Sequence, residues 1–205
     1  MNTNQKTLEK NYLTKFFLLF SNIYDIMNLQ IIIERVVFME QSYSSAKTSI
    51  NTISKIYTQY PFKTNTTILD YGCGKYNTSI DFMATKQCKV LPFDKYNRTE
   101  NENLLTKDFC LHNHLDYIVC SNVLNVILED EIVEEILQNI YNFADEETIV
   151  LISIYEGDKS GIGKVTSKGY QKNLRYKGYY KFIEKYFTFS IKKQIFICQK
   201  RDLGK

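Results

Sequence analysis

The sequence predicts an α/β protein whose sheet is doubly wound, mostly parallel and finished by a C-terminal antiparallel hairpin. Three observations predict it. Apolar runs of strand length at 66–71, 88–93, 115–120 and 148–155 are nearly continuous, as strands covered on both faces require. Helical patterns separate them, which is the order of βαβ units. The chain then closes on two alternating runs, 186–192 and 194–199, around a tight turn at Lys192 and Lys193.

The elements follow in order. Residues 1–28 are expected to be an additional helix or an extension, and 29–39 (LQIIIERVVFM), rich in β-branched residues, a lead-in strand. Residues 1–43 thus precede a single domain over 44–205. Ser44 and Ser45 offer a helix cap, and Ile50, Ile53, Ile56 and Tyr57 mark one helical face up to about residue 60. Strand 66–71 leads into a two-glycine turn, and a helix is expected over 78–86. The run 88–93 ends at Asp94. The polar segment 97–106 carries a weak third strand at Leu104 and Leu105. Over 129–143, Ile132, Ile136, Leu137, Ile140 and Phe143 line one face of a helix whose acidic first turn complements its dipole.

The turn Leu69-Asp70-Tyr71-Gly72-Cys73-Gly74 carries the most chemistry. Glycines one residue apart let a backbone turn sharply and approach a ligand. The third glycine of a dinucleotide fingerprint is absent, Asn77 standing in its place, so a pyrophosphate cradle is poorly supported. Asp70, two residues before the first glycine, suits a cationic ligand. Asp94, at the end of the following strand, suits the two hydroxyl donors of a ribose.

The stretch 69–74 resembles motif I of the class I S-adenosylmethionine-dependent methyltransferases, and the resemblance extends over about residues 44–200. It implies a Rossmann-like sheet of seven strands, the last of them antiparallel, with S-adenosylmethionine as cofactor. By that resemblance Gly72, Cys73 and Gly74 lie under the methionine part, Asp70 orients the loop and the amino-acid end, and Asp94 holds the ribose. Leu115-Asp116-Tyr117-Ile118-Val119 followed by Ser121-Asn122-Val123-Leu124 is similar to the family's fourth-strand motif, which borders the cofactor through Ser121 and Asn122. Asp108 falls where the family often contacts the adenine amino group.

The segment 156–171 (EGDKSGIGKVTSKGYQ) follows the strand 148–155 and so faces the acceptor side, because ligands of open α/β sheets bind beyond the carboxyl ends of strands. Glu156, Asp158, Lys159 and Tyr170 are its polar candidates for catalysis. Gly163-Lys164 is not a P-loop: Asp158 stands where the first glycine belongs, and Val165 where the hydroxyl belongs. The stretch instead resembles a loop of phage-encoded methyltransferase-like proteins. The Asp/Asn-Pro-Pro-aromatic motif of amino-directed DNA methyltransferases and the Pro-Cys nucleophile of the cytosine-C5 enzymes are both missing, which disfavours ordinary DNA base methylation.

Composition narrows the remaining classes. With 44% hydrophobic and 24% charged residues the chain reads as an ordinary globular protein rather than a disordered one. No stretch is long and apolar enough to span a membrane, and the run at Phe16–Phe20 lacks the length and cleavage site of a signal peptide, so a cytoplasmic location is expected. The five cysteines form no C-x-x-C pair and read as buried thiols, and Cys110-Leu111-His112-Asn113-His114 lacks a second cluster to complete a metal site. The net charge of +3 hides a segregation: residues 1–158 carry 13 basic and 21 acidic side chains, residues 159–205 carry 13 and 2. Interleaved tyrosines make that basic quarter a possible polyanion surface. The sequence therefore supports methyl transfer to an anionic or nucleic-acid-derived acceptor, with a non-catalytic, cofactor-binding nucleic-acid or regulatory partner as the alternative.

Overall fold

The computed structural model describes residues 51–166 and 169–204. The N-terminal extension, the strand expected over 29–39 and the cap expected at Ser44 and Ser45 lie outside the described residues. The first described helix, α1 (Lys55–Gln59), starts from Ser54, whose Oγ accepts a bond from the Ile56 amide at 3.2 Å. There follow β1 (Thr67–Tyr71), α2 (Thr78–Ala84), β2 (Lys89–Phe93), α3 (Glu100–His112), β3 (Tyr117–Ser121), α4 (Asp130–Phe143) and β4 (Ile149–Ser153). A small hairpin, β5 (Lys164–Thr166) and β6 (Gly169–Gln171), precedes the short α5 (Tyr180–Ile183) and the closing strands β7 (Phe187–Lys192) and β8 (Ile195–Lys200).

The main sheet has six strands in the order β2-β1-β3-β4-β8-β7. The first four are parallel; β8 is antiparallel to both β4 and β7. The chain leaves β1 for β2 on one side and returns to β3 on the other. Between β1 and β3 lies the switch of direction that opens a crevice at the carboxyl ends of the strands. One face of the sheet packs Ile68, Val90, Tyr117, Val119 and Leu151 against Ile56, Tyr57 and Met83. Side chains alternate along a strand, so Asp70, Ser121 and Ser153, two residues beyond Ile68, Val119 and Leu151, point to that same face at its carboxyl end.

Two expectations are corrected. Leu104 and Leu105 belong to a helix rather than a third strand, and the main sheet has six strands among the described residues. Thr99 and Glu102 form a complete capping box: Thr99 Oγ1 accepts from the Glu102 amide at 3.2 Å, and Glu102 Oε2 accepts from the Thr99 amide at 2.8 Å. Helix α3 buries Thr106 and Cys110 and leaves both leucines exposed. The closing turn is made by Lys193 and Gln194, not by Lys192 and Lys193; both have positive φ (50° and 66°), the two-residue turn that follows the twist of a hairpin.

Candidate functional site

Where β1 ends, the chain makes its glycine turn with φ of 80° at Gly72 and 72° at Gly74, a left-handed geometry that glycine adopts without strain. Gly72 has a second reason to be glycine. A Cβ there would come within 2.4 Å of Val123 Cγ2, just beyond β3, so the room at Gly72 is filled by protein rather than left for a ligand.

Three successive amides of this turn are used inside the fold. Those of Gly72 and Cys73 donate to the Phe93 carbonyl at 2.7 and 3.2 Å, and that of Gly74 to Asp94 Oδ2 at 2.9 Å. The turn therefore presents no nest of amides to a phosphate. Asp94 Oδ1 accepts from the Tyr96 and Asn97 amides and from Asn97 Nδ2, at 3.0, 2.9 and 3.0 Å. The carboxylate of Asp94 thus ties the glycine turn to the β2–α3 turn, and Oδ2, with one bond, keeps acceptor capacity for a hydroxyl donor. Arg98, which sequence reasoning missed, reaches back to the same turn: Nε donates to the Gly74 carbonyl at 3.0 Å and Nη2 to that of Tyr76 at 3.3 Å.

Asp70 lies beneath this assembly and is 5% exposed. Burial drives its pKa up to about 7, against the Tyr57 hydroxyl and the Arg98 charge, which favour the carboxylate; nearby Asp94 adds to the rise. The Tyr57 hydroxyl is buried beside Asp70 yet lacks a hydrogen-bond partner of good geometry among the described residues. A positive group beside this carboxyl would favour its ionised form. Cys73 is no nucleophile, because burial pushes its thiol up to about 12 and its Sγ donates to the Gly74 carbonyl at 3.3 Å.

At the ends of β3 and β4 three hydroxyls form a chain. Ser54 Oγ donates to Ser121 Oγ at 2.8 Å, and Ser121 and Ser153 are bonded at 3.0 Å. Three hydroxyl protons serve two bonds, so the chain carries a donor beyond those it uses itself. Asn122, with φ of 57°, turns the backbone, and its side chain is exposed. Asn125 is the buried polar residue of this turn: its Nδ2 donates to Gln171 Oε1 at 3.1 Å, and its carbonyl accepts from the Lys172 amide at 2.7 Å.

That pairing joins β6, and through it the hairpin partner β5, to the turn after β3. Asn173, also buried, accepts from the Asp158 amide and donates Nδ2 to the Ile162 carbonyl at 2.9 Å, while its own carbonyl accepts from Gly161. The four candidate catalytic residues are occupied in this framework. Glu156 Oε1 accepts from the Tyr176 amide at 2.9 Å, and Oε2 lies 3.5 Å from Lys159 Nζ. Asp158 accepts from the Ser160 amide and pairs with Lys164 at 2.8 Å, which holds its carboxyl below the usual range. Tyr170 packs over Gly163, where a Cβ would meet its hydroxyl, and burial raises its phenol further above neutrality.

One other expectation changes here. Asp108 is carried by α3 rather than by a strand end; its side chain is 77% exposed, 3.4 Å from His112. Five lysines of the basic quarter, Lys159, Lys164, Lys172, Lys181 and Lys185, are matched to acidic partners within the fold. Lys172 and Lys181 share Asp130, at 2.5 and 3.2 Å, and Lys185 reaches Glu134 at 2.5 Å, so α4 receives charge from the segment that packs on it. Arg175, Lys177, Lys192 and Lys193 are left as exposed cations. Among the described residues no group of three or more His, Cys, Asp or Glu could hold a metal, and no helix is long and apolar enough to cross a membrane.

Comparison with known proteins agrees with this architecture. A family model described as a methyltransferase domain matches residues 40–190. Among solved structures, 1,6-didemethyltoxoflavin-N1-methyltransferase from Burkholderia thailandensis, with bound 1,6-didemethyltoxoflavin and S-adenosylhomocysteine, is 14% identical. The match covers 87% of this chain and 86% of that one, with a TM-score of 0.50. A TehB-like SAM-dependent methyltransferase from Corynebacterium glutamicum is also 14% identical over 88% and 100% of the two chains, with a TM-score of 0.45. At such identities the likeness is one of fold. No curated protein sequence matches the chain. Because the family model covers most of its length, with the glycine turn and its acidic partners inside the match, the chain belongs to the methyltransferase-domain family.

Proposed function

We propose that the protein transfers a methyl group from S-adenosylmethionine to a small acceptor entering on the hairpin side of the crevice. The observation that carries this reading is the buried Asp70 carboxyl under a glycine turn whose amides are already used. Such a site favours a cationic ligand without phosphate. S-adenosylmethionine has that donor set: a sulfonium and an ammonium, a ribose diol and a neutral adenine. Asp70 would face the positive end, Gly72, Cys73 and Gly74 would border it, and Asp94 Oδ2 would accept from the ribose. Ser121 and Asn122 would line the opposite wall. Membership of the family and the S-adenosylhomocysteine in the Burkholderia relative support the assignment.

When bound, the cofactor supplies a methyl group already electrophilic on sulfur, so the chain has mainly to align the acceptor and keep water out. Glu156, Asp158 and Lys159 are paired with neighbours, and the Tyr170 phenol stays protonated at neutral pH. These residues hold the acceptor wall in place instead of removing a proton. An acceptor with its own lone pair at neutral pH, such as an aromatic ring nitrogen, fits that division of work. The pairing of the C-terminal cations with α4 favours a small molecule over a long polyanion.

Incubation with methyl-labelled cofactor and fractionated small metabolites, RNA, DNA and protein tests this directly. Label is expected in the small-molecule fraction. Label confined to nucleic acid would overturn the acceptor class, and absence of label from every fraction would favour the non-catalytic alternative.

A further inference from the structure

We propose that Arg98 is a positioning residue of the cofactor site, clamping the glycine turn through two backbone carbonyls and bringing a buried positive charge into the neighbourhood of Asp70. The proposal rests on the reading of Asp70 and the glycine turn as the place where the cofactor's cationic end binds.

Arg98 stands in a polar turn where a solvated side chain would be ordinary, yet its side chain is only 8% exposed. It is also far in sequence from what it touches: the Gly74 and Tyr76 carbonyls lie 24 and 22 residues earlier. Those carbonyls are two residues apart on one turn, and a planar guanidinium meets them with two N–H donors fixed in one plane, where an ammonium would offer a single freely rotating point of attachment. The nearest acid, Glu102 in the first turn of α3, does not account for this placement. Glu102 Oε1 is 4.0 Å from Nη1, at the limit of an ion pair, and Glu102 Oε2 is used by Thr99.

The second part concerns charge. The groups facing Asp70 are the Tyr57 hydroxyl from α1, the Cys73 thiol from the turn, Asp94 from the end of β2, Cys120 from β3 and Arg98. Arg98 is the cation among them. Without it, two buried carboxylates would face one another, and Asp70 would hold its proton to higher pH. A protonated Asp70 has no charge to offer a sulfonium or an ammonium. Arg98 therefore does two things for one site: it fixes the backbone that borders the cofactor, and it keeps the acid beneath that backbone available.

The test is titration of S-adenosylmethionine and S-adenosylhomocysteine from pH 6 to 9 into wild type, Arg98→Gln, Arg98→Lys and Asp70→Asn, with melting curves alongside. Wild-type affinity for S-adenosylmethionine is expected to rise through a midpoint near pH 7 that Asp70→Asn removes. Arg98→Gln should lower affinity at pH 7.5 by about tenfold or more and move the midpoint up by about one pH unit. Arg98→Lys, which keeps the charge but not the fork, should hold the midpoint and lose several-fold in affinity. Weaker binding by Arg98→Gln with an unmoved midpoint would reduce Arg98 to a structural role and overturn the proposal, as would unchanged affinity. If Arg98→Gln fails to melt cooperatively, Arg98→Lys decides: wild-type affinity there would overturn the clamp. Failure of wild type to bind either ligand would instead sink the cofactor reading itself.

Discussion

The Gly74 amide donates to Asp94 Oδ2 at 2.9 Å, joining the glycine turn after β1 to the end of β2 across twenty residues of sequence. The same carboxylate takes three further N–H donors from the turn that follows it. Asp94→Ala should therefore lower stability by about 2–4 kcal/mol, because several donors lose a charged acceptor at once. Denaturant unfolding reads this. A loss below about 0.5 kcal/mol would mean that Asp94 does not brace the turn.

Asp70→Asn should move stability and binding in opposite directions. The folded pKa of Asp70, about 7, lies above its usual 3.8, so its contribution is present at low pH and is lost as the pH rises through 7. Asparagine mimics the protonated form. The variant should be more stable than wild type at pH 8, by up to about 4 kcal/mol, and about equal to it near pH 4. Its affinity for S-adenosylmethionine should fall. A variant less stable than wild type at pH 8 would contradict the burial of an uncompensated acid.

Gly72 and Gly161 have similar backbone conformations, with φ of 80° and 75°, but different surroundings. A Cβ at Gly72 would meet Val123 at 2.4 Å, while one at Gly161 has nothing within 4 Å. Gly72→Ala should cost roughly 2–4 kcal/mol and Gly161→Ala about 1 kcal/mol, the second reflecting backbone strain alone. Equal losses in parallel unfolding curves would show that close approach to Val123 is not what requires glycine at position 72.

The hairpin is held chiefly through Asn173, which joins Asp158, Gly161 and Ile162. Asn173→Ala should loosen the segment and speed tryptic cleavage after Lys159 and Lys164 severalfold, with a smaller effect on the global melt. Cleavage at the wild-type rate would mean that the strands β5 and β6 hold themselves without this brace.

Much of this fold could be read from sequence because parallel strands are apolar throughout and helix α4 has an unbroken face. That Asp70, the two glycines and Asp94 lie close together could be read because each stands at the end of a strand or in the turn that follows it. Helix α3 was missed although Thr99-Glu100-Asn101-Glu102 carries the signature of a capping box; its exposed Leu104 and Leu105 looked like a strand, and its apolar face is weak. Arg98 and Asn173 carried no local signal, because what they hold lies elsewhere in the chain: two carbonyls more than twenty residues back for Arg98, an adjoining loop for Asn173. The charge segregation was visible, but the pairing of Lys172, Lys181 and Lys185 with α4 was not, because it joins segments more than forty residues apart.

If Asp70 and the glycine turn receive the amino-acid end of the cofactor, the crevice between β1 and β3 takes a nucleoside that carries an ammonium and no phosphate. Calorimetric titration of the full chain at pH 8 with S-adenosylmethionine, S-adenosylhomocysteine and ATP tests it most directly. Both sulfur nucleosides should bind one to one with micromolar affinity, about −8 kcal/mol, and ATP should neither bind comparably nor displace them. Binding of ATP as tight as that of S-adenosylmethionine, or no binding of either sulfur nucleoside, would contradict it.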